Sequence, residues 1–143
     1  MKRVARDMGL TVNKYVDERK DFNKSAFAAS ELLRRICIPQ AYRILCNVGG
    51  IEPEGDELWF KLLVLHIYHA GARNVESLLN QLEQPLQGME LIKWMWRNEY
   101  GNFKNASQNY SQIAIAAMLT LKDIVLSDCE YIFNCNGYNP IEN

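Results

Sequence analysis

The chain has 143 residues, enough for one domain with a hydrophobic core. Hydrophobic residues make up 48% of it and charged residues 23%, which is the composition of a globular protein rather than a disordered one. Sixteen basic and seventeen acidic residues leave a formal charge of -1, and this balance gives no reason to expect nucleic acid as a partner. No apolar run is long enough for a membrane span, and the amino terminus lacks the apolar stretch of a signal peptide.

Two helices are predicted in the first quarter of the chain. Residues 2–8 form about two helical turns, and Gly9 is suited to end them. A polar connector, residues 10–20, follows. Residues 23–36 then place apolar side chains at helical spacing, and either Asp21 or Asn23 could cap the amides at the start of this helix.

Pro39 interrupts the second helical pattern. A proline inside a helix removes a donor and clashes with the preceding turn, so the helix should kink or end near Cys37. Residues 40–48 then resume as a short helix. Glycine and proline residues between 49 and 55 predict a loop.

The most apolar run of the chain, residues 58–71, predicts a central helix that is buried on most sides. Asp56 is a suitable cap for its start, and Gly71 is suited to close its end. The run becomes polar at Tyr68 and His69, whose side chains both donate and accept hydrogen bonds. Polar groups at the mouth of an apolar core are typical of binding sites.

Three more helices are predicted after the central one, over residues 74–83, 89–99 and 106–126. The tail, residues 127–143, shows no clear periodicity and is predicted to be irregular. The sequence therefore predicts an all-α domain of about six helices over residues 1–126, followed by that tail.

Three segments of the chain carry a resemblance to a known family. They are Gly9-Leu10 with Val16-Asp17-Glu18-Arg19-Lys20-Asp21 and Ser25, then Tyr68-His69-Ala70-Gly71-Ala72-Arg73-Asn74-Val75, and then Ser107-Gln108-Asn109-Tyr110 before Ile113. In this order they resemble the YGL…VDERRDP..S, AYNAGxxxV and ETxxYVPKILAA stretches of the soluble lytic transglycosylases. Members of that family are lysozyme-like helical enzymes that cut peptidoglycan, so the resemblance implies a partial lysozyme-like fold.

The resemblance also implies a reaction whose central residue is absent here. Family members cut the bond between N-acetylmuramic acid and N-acetylglucosamine with one glutamic acid and leave a 1,6-anhydro product. That glutamate precedes the GL motif, whereas the nine residues before Leu10 contain none. We therefore assign no catalytic residue and expect an amino-terminally truncated form with little or no cleavage activity by itself. If upstream sequence supplies a glutamate, Met1 is not the start of the natural domain and the protein is an ordinary enzyme of this family.

Part of the family's binding groove is retained. By resemblance, the remnant consists of Tyr68, His69, Gly71 and Tyr110, although relatives carry asparagine where this chain has His69. Each residue also has a structural interpretation, because the tyrosines could pack in the core and Gly71 could serve the backbone alone. The implied partner is the glycan strand of peptidoglycan, and the implied location is the bacterial cell envelope or periplasm.

Other residues have two interpretations each. Trp94 and Trp96 could pack in the core or stack on sugars, but they point to different sides of a helix, so at most one faces a groove.

His66 and His69 share a helical face that would suit a metal, yet no third ligand is suitably spaced, so neither a metal nor a cofactor is predicted. The four cysteines, Cys37, Cys46, Cys129 and Cys135, could form disulfides or be free buried thiols, and Cys129 with Cys135 is the better candidate pair for a disulfide.

A different class of function is also open to this chain. A lysozyme-like domain without its catalytic helix would expose apolar surface that must be covered. Self-association or a partner chain could cover that surface. The alternative is therefore a helical interaction module without sugar chemistry.

Overall fold

The computed structural model describes residues 2–55 and 57–135, with side chains up to residue 121. The chain divides into two units, Met1–Tyr110 and Ser111–Asn143. The helical segments are α1 (Lys2–Asp7), α2 (Phe22–Leu32), α3 (Ile38–Gly49), α4 (Leu58–Ala70), α5 (Ala72–Leu79), α6 (Gly88–Arg97) and α7 (Ala106–Cys135). Because α2 continues into α3, these segments make six helices; no strand occurs in the described residues, and the predicted all-α fold is confirmed.

The first of the three segments that resemble the transglycosylases, called the first motif, contains acidic residues that stabilise the start of α2. The Asp21 carboxylate accepts a hydrogen bond from the Lys24 backbone N–H at 2.9 Å, which confirms one of the two predicted caps. The Glu18 carboxylate accepts from the Thr11 N–H at 2.6 Å and pairs with the Lys24 ammonium at 2.5 Å. The resulting contacts hold residues 11–24 in a compact connector.

The helix does not end before Pro39, contrary to one of the two predicted outcomes. Residues Leu33–Cys37 form a π turn, in which the Ile38 N–H donates to the Leu33 carbonyl five residues back. Pro39 is the second residue of α3, directly after this wider turn, so the N–H that it lacks falls where the hydrogen-bonding pattern of the helix changes. The wider turn therefore lets one continuous helix accommodate the proline.

The predicted central helix is confirmed as α4, and it supplies much of the core of the first unit. It packs against α3, α5 and α6. Its buried residues are Trp59, Phe60, Leu62, Leu63, Val64, His66 and Ile67. Residue 57 precedes the helix without a side-chain capping bond, while the predicted cap, Asp56, lies outside the described residues.

The ends of α5 and α7 differ from the predicted ones by four residues or more. Helix α5 ends at Leu79 rather than at residue 83, because the next N–H groups, of Gln81 and Leu82, bond to the carbonyls only three residues back and form a turn. Helix α7 continues past residue 126 to Cys135, so the first part of the predicted irregular tail is helical. Residues 136–143 lie outside the described residues. In the part that is described, no helix has both the length and the apolar character needed to cross a bilayer.

The structure tests only part of the cysteine prediction. Cys37 is buried and Cys46 is exposed, and both are free thiols. Burial raises the pKa of the Cys37 thiol to about 11, which keeps it protonated and unreactive at neutral pH. The side chains of Cys129 and Cys135 lie outside those the structure describes, so their pairing stays a prediction.

Candidate functional site

The carboxyl end of α4 is closed by Gly71, whose backbone has φ 86° and ψ 144°. This conformation is open almost only to glycine. The Gly71 N–H donates to the Ile67 carbonyl at 2.9 Å, and the Gly71 carbonyl accepts from Asn74 and Val75 at the start of α5. Gly71 therefore has the backbone role that the sequence left open, and it brings α5 close behind Tyr68 and His69.

Three of the predicted groove residues lie together in an aromatic cluster, defined here as Tyr68, His69 and Tyr110. The rings of His69 and Tyr110 are stacked, with centroids 4.2 Å apart and an interplanar angle of 11°. Burial raises the pKa of the Tyr110 phenol, and the nearby Tyr68 phenol adds to the rise. Residues 42 positions apart in the sequence thus form one half-buried surface of rings and hydroxyls.

Two cavities adjoin Tyr68. The smaller, of about 150 Å³, reaches Leu10, Arg19 and Ser25, which all belong to the first motif. The larger, of about 340 Å³, follows the end of α4; it is lined by Val4, Leu32, Ile36, Cys37, Ile67, Tyr68, His69, Ala70, Gly71 and Ala72. Tyr68 therefore lies where the first two motifs meet, and its neighbours are mostly apolar.

No carboxylate is among the described residues that line either cavity. Glu18 pairs with Lys24, and Glu31 pairs with Arg34 and Arg35. Glu52, Glu54 and Glu57 are exposed. The Arg19 guanidinium beside Tyr68 is paired with the Asp17 carboxylate. The cluster itself can offer ring faces and hydroxyl groups to a ligand, which is binding chemistry rather than acid catalysis.

His66 belongs to the interior rather than to the cluster. Its side chain is 0% exposed, and its Nδ1 lies 3.0 Å from the Ser107 carbonyl oxygen. The ring packs against Phe103, with centroids 5.3 Å apart, whereas His69 stacks on Tyr110. In the described part of the chain, no three His, Cys, Asp or Glu residues are placed to hold a metal ion together.

A further cavity lies beside Trp94, one of the two tryptophans that the sequence left open. It has a volume of about 380 Å³ and is called the Trp94 cavity here; its lining consists of Leu78, Gln81, Leu82, Glu83, Gln84, Leu86, Trp94, Asn98 and Glu99. The sequence pointed to Trp94 as one possible groove residue. The sequence did not indicate which polar residues surround Trp94. They come from the turn after α5 and the turn after α6, which meet only in the folded chain.

Comparisons of the chain with family models, with curated proteins and with solved structures gave no match. The fold and the site define an all-α protein that presents an aromatic cluster beside two mostly apolar cavities.

Proposed function

We propose that this chain is a glycan-binding domain related to the lytic transglycosylases, and that it binds peptidoglycan strands without cutting them by itself. The binding surface is the aromatic cluster with its two cavities. The expected location is the bacterial cell envelope.

The convergence of three separate segments carries the proposal. Leu10, Arg19 and Ser25 of the first motif share a cavity with Tyr68 of the second. His69 of the second motif stacks on Tyr110 of the third. Residues that resemble one family in sequence thus meet at one site, as expected if they were retained to form a common surface.

The chemistry of the surface suits a sugar. The C–H face of a pyranose ring packs on an aromatic ring, while its hydroxyl groups bond to polar side chains nearby. The half-buried rings of Tyr68, His69 and Tyr110 offer both kinds of contact. Transfer of a proton to the glycosidic oxygen needs a positioned acid, and none of the described cavity-lining residues is a carboxylic acid.

Co-sedimentation with insoluble peptidoglycan tests the binding. We expect His69→Ala and Tyr110→Ala each to lower the bound fraction several-fold, because each removes one half of the stacked pair. Tyr110→Phe keeps the ring and should retain most binding, which controls for a folding defect. Tyr15→Ala serves as the matched surface control, since Tyr15 is 89% exposed. Unchanged binding by folded His69→Ala and Tyr110→Ala would refute the proposed site.

Incubation with purified peptidoglycan tests the second half of the proposal. Chromatography of the soluble products should show no 1,6-anhydro-muropeptides, because the proton donor is absent from the groove. Their appearance with the wild-type chain would show that an acid elsewhere in this sequence reaches the substrate.

A helical interaction module is the second candidate, and the surface of α2 favours it. Phe22 is 82% exposed and Phe27 is 66% exposed. The two residues are five positions apart and point to different sides of α2, so each offers a separate aromatic contact to a partner. If this function is the main one, the mass in solution should rise with concentration and fall back to that of one chain in a Phe22→Ser, Phe27→Ser variant, while peptidoglycan should stay unbound.

A further inference from the structure

The Trp94 cavity and the aromatic cluster are associated with opposite ends of α5. His69 and Gly71 precede this helix, whereas Leu78, Gln81 and Leu82 of the cavity come from its last turn and the residues after it. The helix has eight residues, which corresponds to about 12 Å along its axis. The cavity of about 380 Å³ lies within the range of small-molecule sites, roughly 300–1,000 Å³.

Hydrogen bonds fix the wall that Trp94 forms. The Asn98 side-chain amide donates to the Trp94 carbonyl at 2.8 Å, so the end of α6 is held in a defined position. The Gln108 side chain donates in turn to the Asn98 carbonyl at 3.4 Å. Trp94 is half-buried, and leucine side chains from α5 and the following turn share the cavity with it. The site therefore offers an ordered aromatic wall and an apolar floor.

The polar part of the lining consists of acceptors and amides. Glu83 and Glu99 are exposed, and neither forms an ion pair with another described residue. A carboxylate accepts hydrogen bonds and cannot donate them at neutral pH, so a matching ligand must bring donors. Two carboxylates also repel an anionic ligand and attract an ammonium group. The Gln81 and Gln84 amides can pair with either kind of group.

We propose that the Trp94 cavity is a second saccharide site, selective for pyranose rings that are neutral or carry an amino group. The C–H face of the ring packs on the Trp94 indole, and hydroxyl or ammonium groups donate to Glu83 and Glu99. An amino sugar binds more tightly than its N-acetylated form, and a uronic acid binds least. The inference stands on this cavity alone and does not depend on the function proposed for the aromatic cluster.

Titration of the three indole N–H resonances tests this site in the full chain. The probes are glucosamine trisaccharide, N-acetylglucosamine trisaccharide and trigalacturonic acid, and each indole is assigned from a tryptophan-to-phenylalanine variant. We expect the Trp94 resonance to shift with the glucosamine and N-acetylglucosamine trisaccharides, and the Kd from the titration to be lower for glucosamine. With trigalacturonic acid the resonance should not shift. A ligand concentration of about 10 mM fills about nine-tenths of a site with a Kd of about 1 mM. No Trp94 shift with either of the first two sugars at that concentration overturns the proposal.

Matched variants separate the contributions of ring and charge. Trp94→Ala removes the indole that reports binding, so its binding is read from the side-chain amide resonances of Gln81 and Gln84 in the same cavity. This variant should weaken binding of both sugars by about tenfold or more, equivalent to at least 1.4 kcal/mol. Since Trp94→Ala could disturb folding, Glu83→Gln with Glu99→Gln provides a milder test on exposed positions. That double variant should abolish the preference for the amino sugar and keep binding of the acetylated one. A preference that survives the double change contradicts the assigned role of the carboxylates.

Tyr110→Ala should leave the Trp94 shift intact, so failure of the aromatic cluster is distinguished from failure of this site.

Discussion

At the scale of single residues, the two histidines show how position within one helix leads to two different environments. His66 and His69 were predicted to share a face of α4, yet one is fully buried and the other stacks on Tyr110. Burial lowers the pKa of His66 to about 4, and the nearby His69 acts in the same direction, against the hydrogen bond to Ser107. The neutral ring donates through Nδ1 to that carbonyl, while Nε2 has no hydrogen-bonding partner among the described residues.

Acid should therefore destabilise the fold through His66. The unfolded chain binds a proton with a pKa near 6.5, whereas the folded chain resists protonation down to about 4. The unfolded state thus holds more protons between these values, and the free energy of unfolding falls as the pH falls from 6.5 to 4. The loss contributed by this residue should be about 3 kcal/mol. Urea unfolding at a series of pH values measures it.

His66→Gln removes the titrating ring and should flatten the pH dependence across that interval. His69→Gln makes the same chemical change three residues further along the helix and should keep most of the pH dependence of the unfolding free energy. Equal slopes for wild type and His66→Gln would show that other groups cause the acid sensitivity.

At the scale of elements, helix starts and stops were more predictable when the signal was local. The Asp21 cap depends on one carboxylate and an amide three residues away, and the sequence contained both. The consequence of Pro39 depended on whether the preceding turn could widen, and the structure shows that it does over Leu33–Cys37. The choice between a kinked helix and an ended one rests on packing along the whole of α2 and α3, so the local sequence could not decide it.

Replacing the cap should destabilise α2 by a defined amount. Asp21→Ala removes the acceptor of the Lys24 N–H and should cost about 1 kcal/mol of unfolding free energy. Asn23→Ala is the matched control, because Asn23 was the other cap candidate but lies inside α2 and should change stability by less than about 0.5 kcal/mol. Urea unfolding of both variants measures the difference, and equal costs would mean that the Asp21 cap adds nothing.

At the scale of the whole molecule, the helices could be predicted better than the sites. The nearly continuous apolar run over residues 58–71 placed α4 at the centre, since a helix that is hydrophobic on nearly all sides has to be surrounded by others. Only the family resemblance pointed to Tyr68, His69 and Tyr110 as a group, because no local pattern links residues so far apart. The Trp94 cavity was missed for the same reason, as its residues converge from the turn after α5 and from α6 with its following loop.

The central position of α4 leads to a prediction about the stability of the first unit. Leu63 is 0% exposed on this helix, and removing a buried leucine loses its apolar contacts and leaves a cavity. Leu63→Ala should therefore cost about 2–5 kcal/mol of unfolding free energy. Leu58→Ala makes the same chemical change at the start of the same helix, where the side chain is 50% exposed, and should cost less than about 1 kcal/mol.

Tryptophan fluorescence during urea unfolding measures both costs in the first unit, because Trp59, Trp94 and Trp96 all lie within it. The denaturant slope should stay the same in the two variants, since neither changes the surface exposed on unfolding by much. A large loss from Leu63→Ala with little from Leu58→Ala is the result expected if burial around α4 holds this unit together. Similar losses from the two substitutions would mean that the helix does not form the core, and both proposed sites would then lack the support on which their geometry depends.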